Sequence, residues 1–487
     1  MGNYSLDEYL NRLSKLYDKK TILAKCEPGK LQYGRTAQLK DNGDAGLIII
    51  EKIEERAEDV TGDISTINAN LNGVYPGALL HVDSNLAEGK PTAIYSKDLP
   101  RNKLEVGLEI AGNTQPPVMV DEPSEHNVMA TINTMVDKWL STGKTASAEM
   151  SYKSAFAYNE KQLDTKIGIE GASKIFGVDI KACETGTKKE MLVSFKQVYY
   201  SASVNPEMAS SLFRDDVNDT DLARYGINEN NPAVGEVTKM DFGRQIVVKL
   251  SSDNCTDKIE AAWNASICGT GFTNRNEYKN VMENTTFNVF VYGGKTDTAA
   301  KLITTTNDIG KVNEIIASDM NFNKDSAARP LSYLVKFVDD GTQACVQHST
   351  DYIRTVVTKR DKIHFSTDAG GAYVTKHQKL FARAITGVND DGSYILGSWE
   401  CLMNEKGGDK CFDINGKYAE FGFSFDIVWG TDWPYSGVFW TLDKGPVKDI
   451  SIKWGGAVRN AWVEIRVNND LIFSDSDCYS HEEHIFI

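Results

Sequence analysis

Two stretches of this chain carry the helix period and the strand period at once, and few folds can accommodate both. Residues 258–267, KIEAAWNASI, place Ile259, Ala261, Trp263, Ala265 and Ile267 on one side of a period-two pattern and Lys258, Glu260, Ala262, Asn264 and Ser266 on the other. Apolar-out, polar-in alternation over about 9 to 11 residues is the pattern of a membrane-spanning barrel strand. Ile259, Trp263 and Ile267 are also four apart, so the same residues make the buried stripe of an amphipathic helix. The run 163–176 behaves likewise. Leu163, Thr165, Ile167, Ile169, Gly171, Ser173 and Ile175 alternate with Asp164, Lys166, Gly168, Glu170, Ala172 and Lys174, whereas a helix would bury Leu163, Ile167 and Phe176 and be weakened by Gly168 and Gly171.

Either stretch alone fits an ordinary half-buried strand or a surface helix; their surroundings narrow the choice. Strong strand candidates stand beside them: MLVSFKQVYYSASV at 191–204, RQIVVKL at 244–250 and FNVFVYGG at 287–294. A lipid-exposed backbone must satisfy its own hydrogen bonds, which only helices and closed barrels do. Extending the strands through 154–182 and 253–275 gives two hairpins per chain, too few to close a barrel, so neighbouring copies must complete it. A homo-oligomer on a membrane is therefore expected.

At 487 residues the chain is long enough for two to four domains. With 53 basic and 68 acidic residues its net charge is −15, which opposes nucleic-acid binding and charge-driven adsorption to anionic lipid, so membrane contact must use apolar or receptor-specific groups. No stretch approaches the roughly 20 consecutive apolar residues of a transmembrane helix. The start, MGNYSLDEYL, has no apolar signal segment, which leaves a cytosolic protein or a processed secreted one.

Chemistry-bearing motifs fail on inspection. The eight cysteines form no C-x-x-C pair; Cys401 and Cys411 flank LMNEKGGDK and could close a hairpin disulfide, and the other six look unpaired. Gly294-Lys295-Thr296 and Gly143-Lys144-Thr145 lack the upstream glycine of a phosphate loop, Val289 and Lys138 standing in its place. The tail Cys478, His481, Glu482, Glu483, His484 is not a zinc helix motif, and no nucleophile elbow occurs. No catalytic residue, metal or cofactor is expected, and the chain reads as a non-enzyme.

Ordered runs through nearly the first 375 residues, among them YPGALL, INTMVDKW, FGVDI, FKQVYYSASV, SLFRDDV, GRQIVVKL, EYKNVMENTTF, LSYLVKF and GAYV, make the chain resemble the cholesterol-dependent cytolysins. The resemblance implies an α+β fold: an elongated four-domain molecule with a twisted central antiparallel sheet flanked by helical bundles, and a C-terminal β-sandwich. Residues 1–364 would hold the discontinuous pore-forming domains and 365–487 the sandwich that binds membrane or receptor. It implies conversion of 154–182 and 253–275 into transmembrane hairpins, with Leu163, Ile167, Ile169, Ile175, Ile259, Ala261, Trp263, Ala265 and Ile267 facing lipid. Gly293 and Gly294 match the family's diglycine bend, and Tyr152 and Phe287 the aromatic pair that sets register between subunits.

Departures fall mainly at the C-terminus. The family's charged trigger pair lands on Ser154 and Thr305, so an ion-pair switch is not carried over. The tryptophan-rich undecapeptide is replaced by WGGAVRNAWVEIR, which keeps Ala461, Trp462 and Arg466 and puts Ala457 where the reactive cysteine stands. A second loop, GTDWPYSGVFW, offers Trp433, Tyr435, Phe439 and Trp440 for membrane contact, with burial in the sandwich as the alternative. Asp470-Leu471 approximates the cholesterol-reading pair, so cholesterol dependence is not implied. The expectation is a divergent, secreted pore-forming toxin, soluble as a monomer, whose partner is a lipid or receptor on a target membrane. A second pore-forming component or proteolytic activation is compatible with it. The alternative is a non-lytic receptor-binding protein on the same scaffold.

Overall fold

The structure, a computed structural model, describes the chain apart from residues 1–4, 27–33, 44–45, 68, 95–98, 206–208, 255, 269–274, 294–300, 371–375, 407, 428–437, 443–446, 456–461, 477–482 and 487. By compactness it divides into a larger unit, Met1–Lys30 with Glu55–Tyr352, and a smaller one, Leu31–Glu54 with Ile353–Ile487. The sequence reading draws one boundary at 364/365; the structure's division lies at 352/353 and adds 31–54 to the C-terminal unit. The residues joining the units lie within strands, Gly46–Thr61 and Val346–Asp361.

The larger unit is built on an antiparallel sheet whose main strands are β1 (Leu104–Glu109), β2 (Glu149–Phe156), β3 (Lys189–Val204), β4 (Val234–Ser252), β5 (Thr285–Gly293), β6 (Lys301–Thr306) and β7 (Arg329–Phe337). The long strands β3 and β4 pair from Lys189↔Ser252 to Ser203↔Lys239, with one register shift between Val198 and Tyr200. At the Lys189 end β2 and β5 flank them, with β6 outside β5; at the other end β1 and β7 do.

The near-continuous apolar run of β3 follows from burial on both faces. Met191, Val193 and Phe195 share a core with Ile246, Val248, Leu250, Phe287 and Val289, covered by helices that include Ile259, Trp263 and Val312. Leu192, Val247 and Tyr292 lie in a second core with Leu163, Ile167, Ala172 and Phe176. The helices that cover these two cores are α1 (Glu160–Ile167), α2 (Ala172–Ile175), α3 (Ile180–Glu184), α4 (Thr256–Cys268), α5 (Arg275–Glu283) and α6 (Ile309–Ala317).

In the smaller unit two five-stranded sheets form a sandwich. One runs in the order Lys410–Ile414, Ile363–Gly370, Asp449–Gly455, Trp462–Val467, Asp470–Asp475; the other Tyr394–Lys406, Lys376–Val388, Tyr418–Ile427, Val438–Thr441, Glu483–Phe486. Phe365, Phe421, Phe423, Trp440 and Trp454 fill the space between, and Trp454 Nε1 donates to the buried Gln378 amide oxygen at 3.2 Å. This arrangement corrects the candidate disulfide. Cys401 lies opposite Phe381 in one sheet and Cys411 opposite Ser366 in the other, so the strands they sit on do not pair, and both thiols are free.

A buried carboxylate ties α3 to the spine. Glu190 of β3 pairs with Lys188 at 2.7 Å and Lys249 at 3.6 Å, and accepts from the Asp179 N–H at 2.7 Å and the Ser251 hydroxyl at 2.8 Å. Burial works against its ionisation, but Lys188, the Asp179 N–H, Ser251 and Lys249 together hold its carboxyl below the usual range. A depressed folded value stabilises the fold above the ordinary value of 4.5, and that contribution is lost as pH falls through the lower folded value. Glu190→Gln removes the buried charge that these donors satisfy, so it should lower stability at pH 7 by about 2 kcal/mol and flatten the acid limb of the stability profile below pH 4.5. Chemical denaturation across pH checks this; a variant that melts like the parent at both ends would remove the clasp.

Candidate membrane-inserting site

Each dual-period stretch sits between two strands that are already neighbours. Helices α1–α3 connect β2 to β3, and α4–α5 connect β4 to β5. All four strands are consecutive in one antiparallel ladder, and the two helical segments pack on its opposite faces.

The second segment forms the helix that one of its two periods allows. Ile259 and Trp263 are fully buried and Ile267 packs at the edge of the same core, with Ala261 and Ala265 half-buried. Ala262, which the strand pattern assigns to the polar side, is also fully buried, because positions 259, 262 and 263 share one helical face. The Trp263 ring lies between Phe195 and Phe287, 6.3 Å from each.

The first segment breaks where glycine lets it. Gly168, at φ 74°, ends α1, and Gly171, at φ 73°, precedes α2, so the run 163–176 forms two short helices rather than one. Asp164 closes the loop, its two carboxylate oxygens accepting from the Gly171 and Ala172 N–H groups at 2.9 Å each. Leu163, Ile167 and Ile169 are buried and Ile175 half-buried. Near the α1 terminus the contact is polar: a cavity of about 100 Å³ is lined by Ile167, Gly168, Lys153, Ser194, Lys196 and Gln245. Beside it Lys196 joins Asp63 at 2.7 Å, Asp241 at 2.8 Å and Ser332 at 2.5 Å. Burial opposes ionisation of Asp241, yet Lys196, Ser201 and Lys239 keep its carboxyl below the ordinary range.

The aromatic pair occupies unlike surroundings. Tyr152 is 51% exposed on β2, stacked on Phe195 at 6.0 Å, whereas Phe287 is fully buried under Trp263 and paired with Thr306 of β6. Phe195 completes an aromatic row across the sheet that the sequence reading did not single out, although its place in the alternation of FKQVYY was the available signal. Ser154 and Thr305 are both exposed, opposite Val193 and Asn288. Gly293 ends β5 at φ 83°, where a Cβ would come within 2.9 Å of the Gly243 carbonyl oxygen and 3.1 Å of Arg329. Gly294, Trp433 and Tyr435 lie outside the described residues.

The remaining contact candidates separate by exposure. Trp440 is fully buried, stacked on Phe421 at 5.8 Å, and so fills the sandwich core. Phe439 points to the other side of its strand, half-buried against the exposed Trp399 at 5.3 Å. Trp462 is half-buried; Leu471 is 51% exposed, beside the tight turn at Asn468 and Asn469.

Comparison with known proteins agrees with this architecture. The sequence profile described as "Thiol-activated cytolysin" matches residues 5–360. Pneumolysin of Streptococcus pneumoniae serotype 2 (strain D39 / NCTC 7466) is 30% identical over 480 residues, 95% of this chain and 92% of that one. Perfringolysin O of Clostridium perfringens (strain 13 / Type A) is 29% identical over 77% of this chain and 75% of its own. A solved pneumolysin structure matches with a TM-score of 0.80 at 24% identity, covering 96% of this chain and 100% of that one. The human-specific toxin intermedilysin matches with 0.73 at 26% identity, covering 95% and 100%. With the fold, the profile and the relatives in agreement, the chain belongs to the thiol-activated cytolysin family.

Proposed function

We propose that this cytolysin is a secreted pore-forming toxin that binds a target membrane through its C-terminal sandwich, assembles into a ring, and inserts 154–182 and 253–275 as two β-hairpins per subunit. One observation carries the reading: both segments connect strands already paired in register within one sheet, so insertion extends existing ladders rather than building new ones. The lipid-facing set is Leu163, Ile167, Ile169, Ile175, Ile259, Ala261, Trp263, Ala265 and Ile267.

Assembly needs free edges. The weakly held edge strand is β6, where Leu302 and Ile303 are 51% and 47% exposed and a register shift separates Val289 from Phe290. Its departure uncovers β5, and β2, whose residues 149–154 are all exposed, supplies the edge that the next subunit meets. Tyr152 of one copy then stacks on Phe287 of another and fixes register. The sandwich offers Phe439, Trp462 and Leu471, with the loop around Trp433 and Tyr435, to a lipid or receptor. A solved complex of intermedilysin with human CD59 makes a protein receptor worth a separate arm of the binding test.

Gly293 is the hinge at which β5 parts from β6. Gly293→Val should leave liposome binding intact, since the sandwich is a separate unit, and abolish dye release, because at φ 83° its Cβ would meet the Gly243 carbonyl and distort the end of β5 from which β6 must part. Normal leakage would remove the hinge.

The lipid-facing assignment of 258–267 has its own test. The sequence suggests contrasting Ala261→Arg with Ala262→Arg, but Ala262 is fully buried in the soluble fold, so that arginine would damage folding before insertion. Ala265 and Asn264 are both half-buried in α4, which makes them the matched pair. An arginine facing lipid at mid-bilayer costs a barrel about 2 to 4 kcal/mol, so Ala265→Arg should suppress leakage while Asn264→Arg releases dye nearly as the parent does. Vesicles with and without cholesterol should behave alike. Equal tolerance of the two arginines would end the strand assignment, and a parent protein that binds vesicles without leakage would favour the non-lytic alternative.

A further inference from the structure

Three residues on the outer face of the sandwich make a nucleophile relay that pore formation does not use. His364 lies directly opposite Asp413 across the pairing of Ile363–Gly370 with Lys410–Ile414, and Cys411 is two residues from Asp413 on the same edge strand. In the alternation of that strand Cys411 and Asp413 point outward while Ile414 is buried. The Cys411 thiol meets His364 Nε2 at 3.3 Å, and His364 Nδ1 meets Asp413 Oδ1 at 3.3 Å. A carboxylate can only accept, so Asp413 places the ring proton on Nδ1 and leaves the Nε2 lone pair facing the S–H. The imidazolium formed by taking up the thiol proton is then stabilised by the same carboxylate. His364 and Asp413 are 49% and 55% exposed, and Cys411 is an exposed free thiol, so small solutes reach all three.

We propose that Cys411 is a thiol–disulfide exchange site, with His364 as its base and Asp413 as the positioning residue, which takes low-molecular-weight disulfides of the glutathione class. The thiol proton passes to His364 Nε2 as Cys411 sulfur attacks one sulfur of the disulfide. A new S–S bond forms and the old one breaks, and the departing thiolate recovers the proton from Nε2. The product is a mixed disulfide on the protein and one free thiol, with no further oxidant needed. The family resemblance places its reactive cysteine on Ala457, so this thiol occupies a different position and its chemistry does not depend on the pore reading.

Among the described residues, Lys448 also stands beside His364, its carbonyl accepting the His364 backbone N–H at 2.8 Å. Asp449 lies opposite it on the parallel neighbour strand, Ser366 lies opposite Cys411, and Lys410 is held by Glu405. Cys401, also exposed and free, with its Sγ donating to the Met403 carbonyl at 3.3 Å, is an internal reference.

The full-length protein is exposed to glutathione disulfide and each cysteine followed by mass spectrometry. His364 stands within reach of the thiol proton and can take it up during the attack, so the assisted thiol should react about tenfold faster than an unassisted one. Cys411 should therefore outpace Cys401 about tenfold in the native protein, and His364→Gln should bring the two rates together. Asp413→Asn should slow Cys411 without altering Cys401, and Asp413→Glu should restore part of the rate, a rescue that a merely structural residue would not show. In denaturant the advantage should vanish. Equal rates in the native parent, an unaltered rate in His364→Gln, or an advantage that survives denaturation would each overturn the proposal.

Discussion

The larger unit depends on the backbone ladder between Lys189–Val204 and Val234–Ser252. These strands are buried on both faces over most of their length, and every other element of that sheet is registered, directly or through one neighbour, against one of them. An interior strand pair of this length is costly to open, since each broken ladder bond leaves a buried donor and acceptor unmet. Change is thus directed to the flanks. The strands that flank the pair are short, and the connections beyond them are helical, so the proposed conversion falls on the margins and leaves the centre fixed.

On the proposed pathway the margins convert because the same side chains serve two partners. In the helix Ile259 and Trp263 cover Phe195 and Phe287, and burying large side chains of this kind contributes roughly 1.5 to 3 kcal/mol each. In an inserted strand the same residues would exchange that protein core for hydrocarbon, retaining most of the apolar gain. What opposes the exchange is then mainly polar: the Glu190 clasp, the Lys249 ammonium donating to the Gly177 carbonyl at 2.6 Å and the Asp164 loop closure. The first segment relies on these clips more than the second. Its helices are short, and its contact with the sheet at Gly168 opens into a polar cavity rather than a close apolar seam.

Much of this was legible in the residues because it is local. Alternation in MLVSFKQVYYSASV and RQIVVKL marks the spine, though both strands run further than those motifs, and the four-residue spacing of Ile259, Trp263 and Ile267 marks the docked helix face. What could not be read depends on which strands meet. Cys401 and Cys411 are ten positions apart and belong to different sheets, a fact set by strand order and not by the glycine-rich turn between them. Trp440 and Phe439 are equally apolar neighbours, and only their opposite sides of one strand send the first into the core and the second outward. Residues 31–54 join the sandwich because Leu47 and Ile49 meet Ile385 and Ala419, contacts with no trace in local pattern. The burial of Ala262 is of the same kind: its class is set by the helix period once the helix is docked.

The neutral residues at Ser154 and Thr305 bear on how conversion is controlled. Both side chains are exposed and uncharged, so an attraction between them across two subunits has no Coulomb contribution. On the proposed pathway the control therefore moves to what each subunit must release by itself. β6 is an edge strand with two apolar side chains in solvent and a broken register against β5. On that pathway its removal would expose the edge of Phe287 while Trp263 still covers the ring, which would make edge pairing and helix release separate events. Stacking by an incoming Tyr152 competes with Trp263 for Phe287, and a competition between aromatic rings is far less sensitive to ionic strength than an ion pair is. The contact between subunits, gated in this way, should be less sensitive to salt than one made by a charged pair, which is the physical consequence of neutral side chains at Ser154 and Thr305.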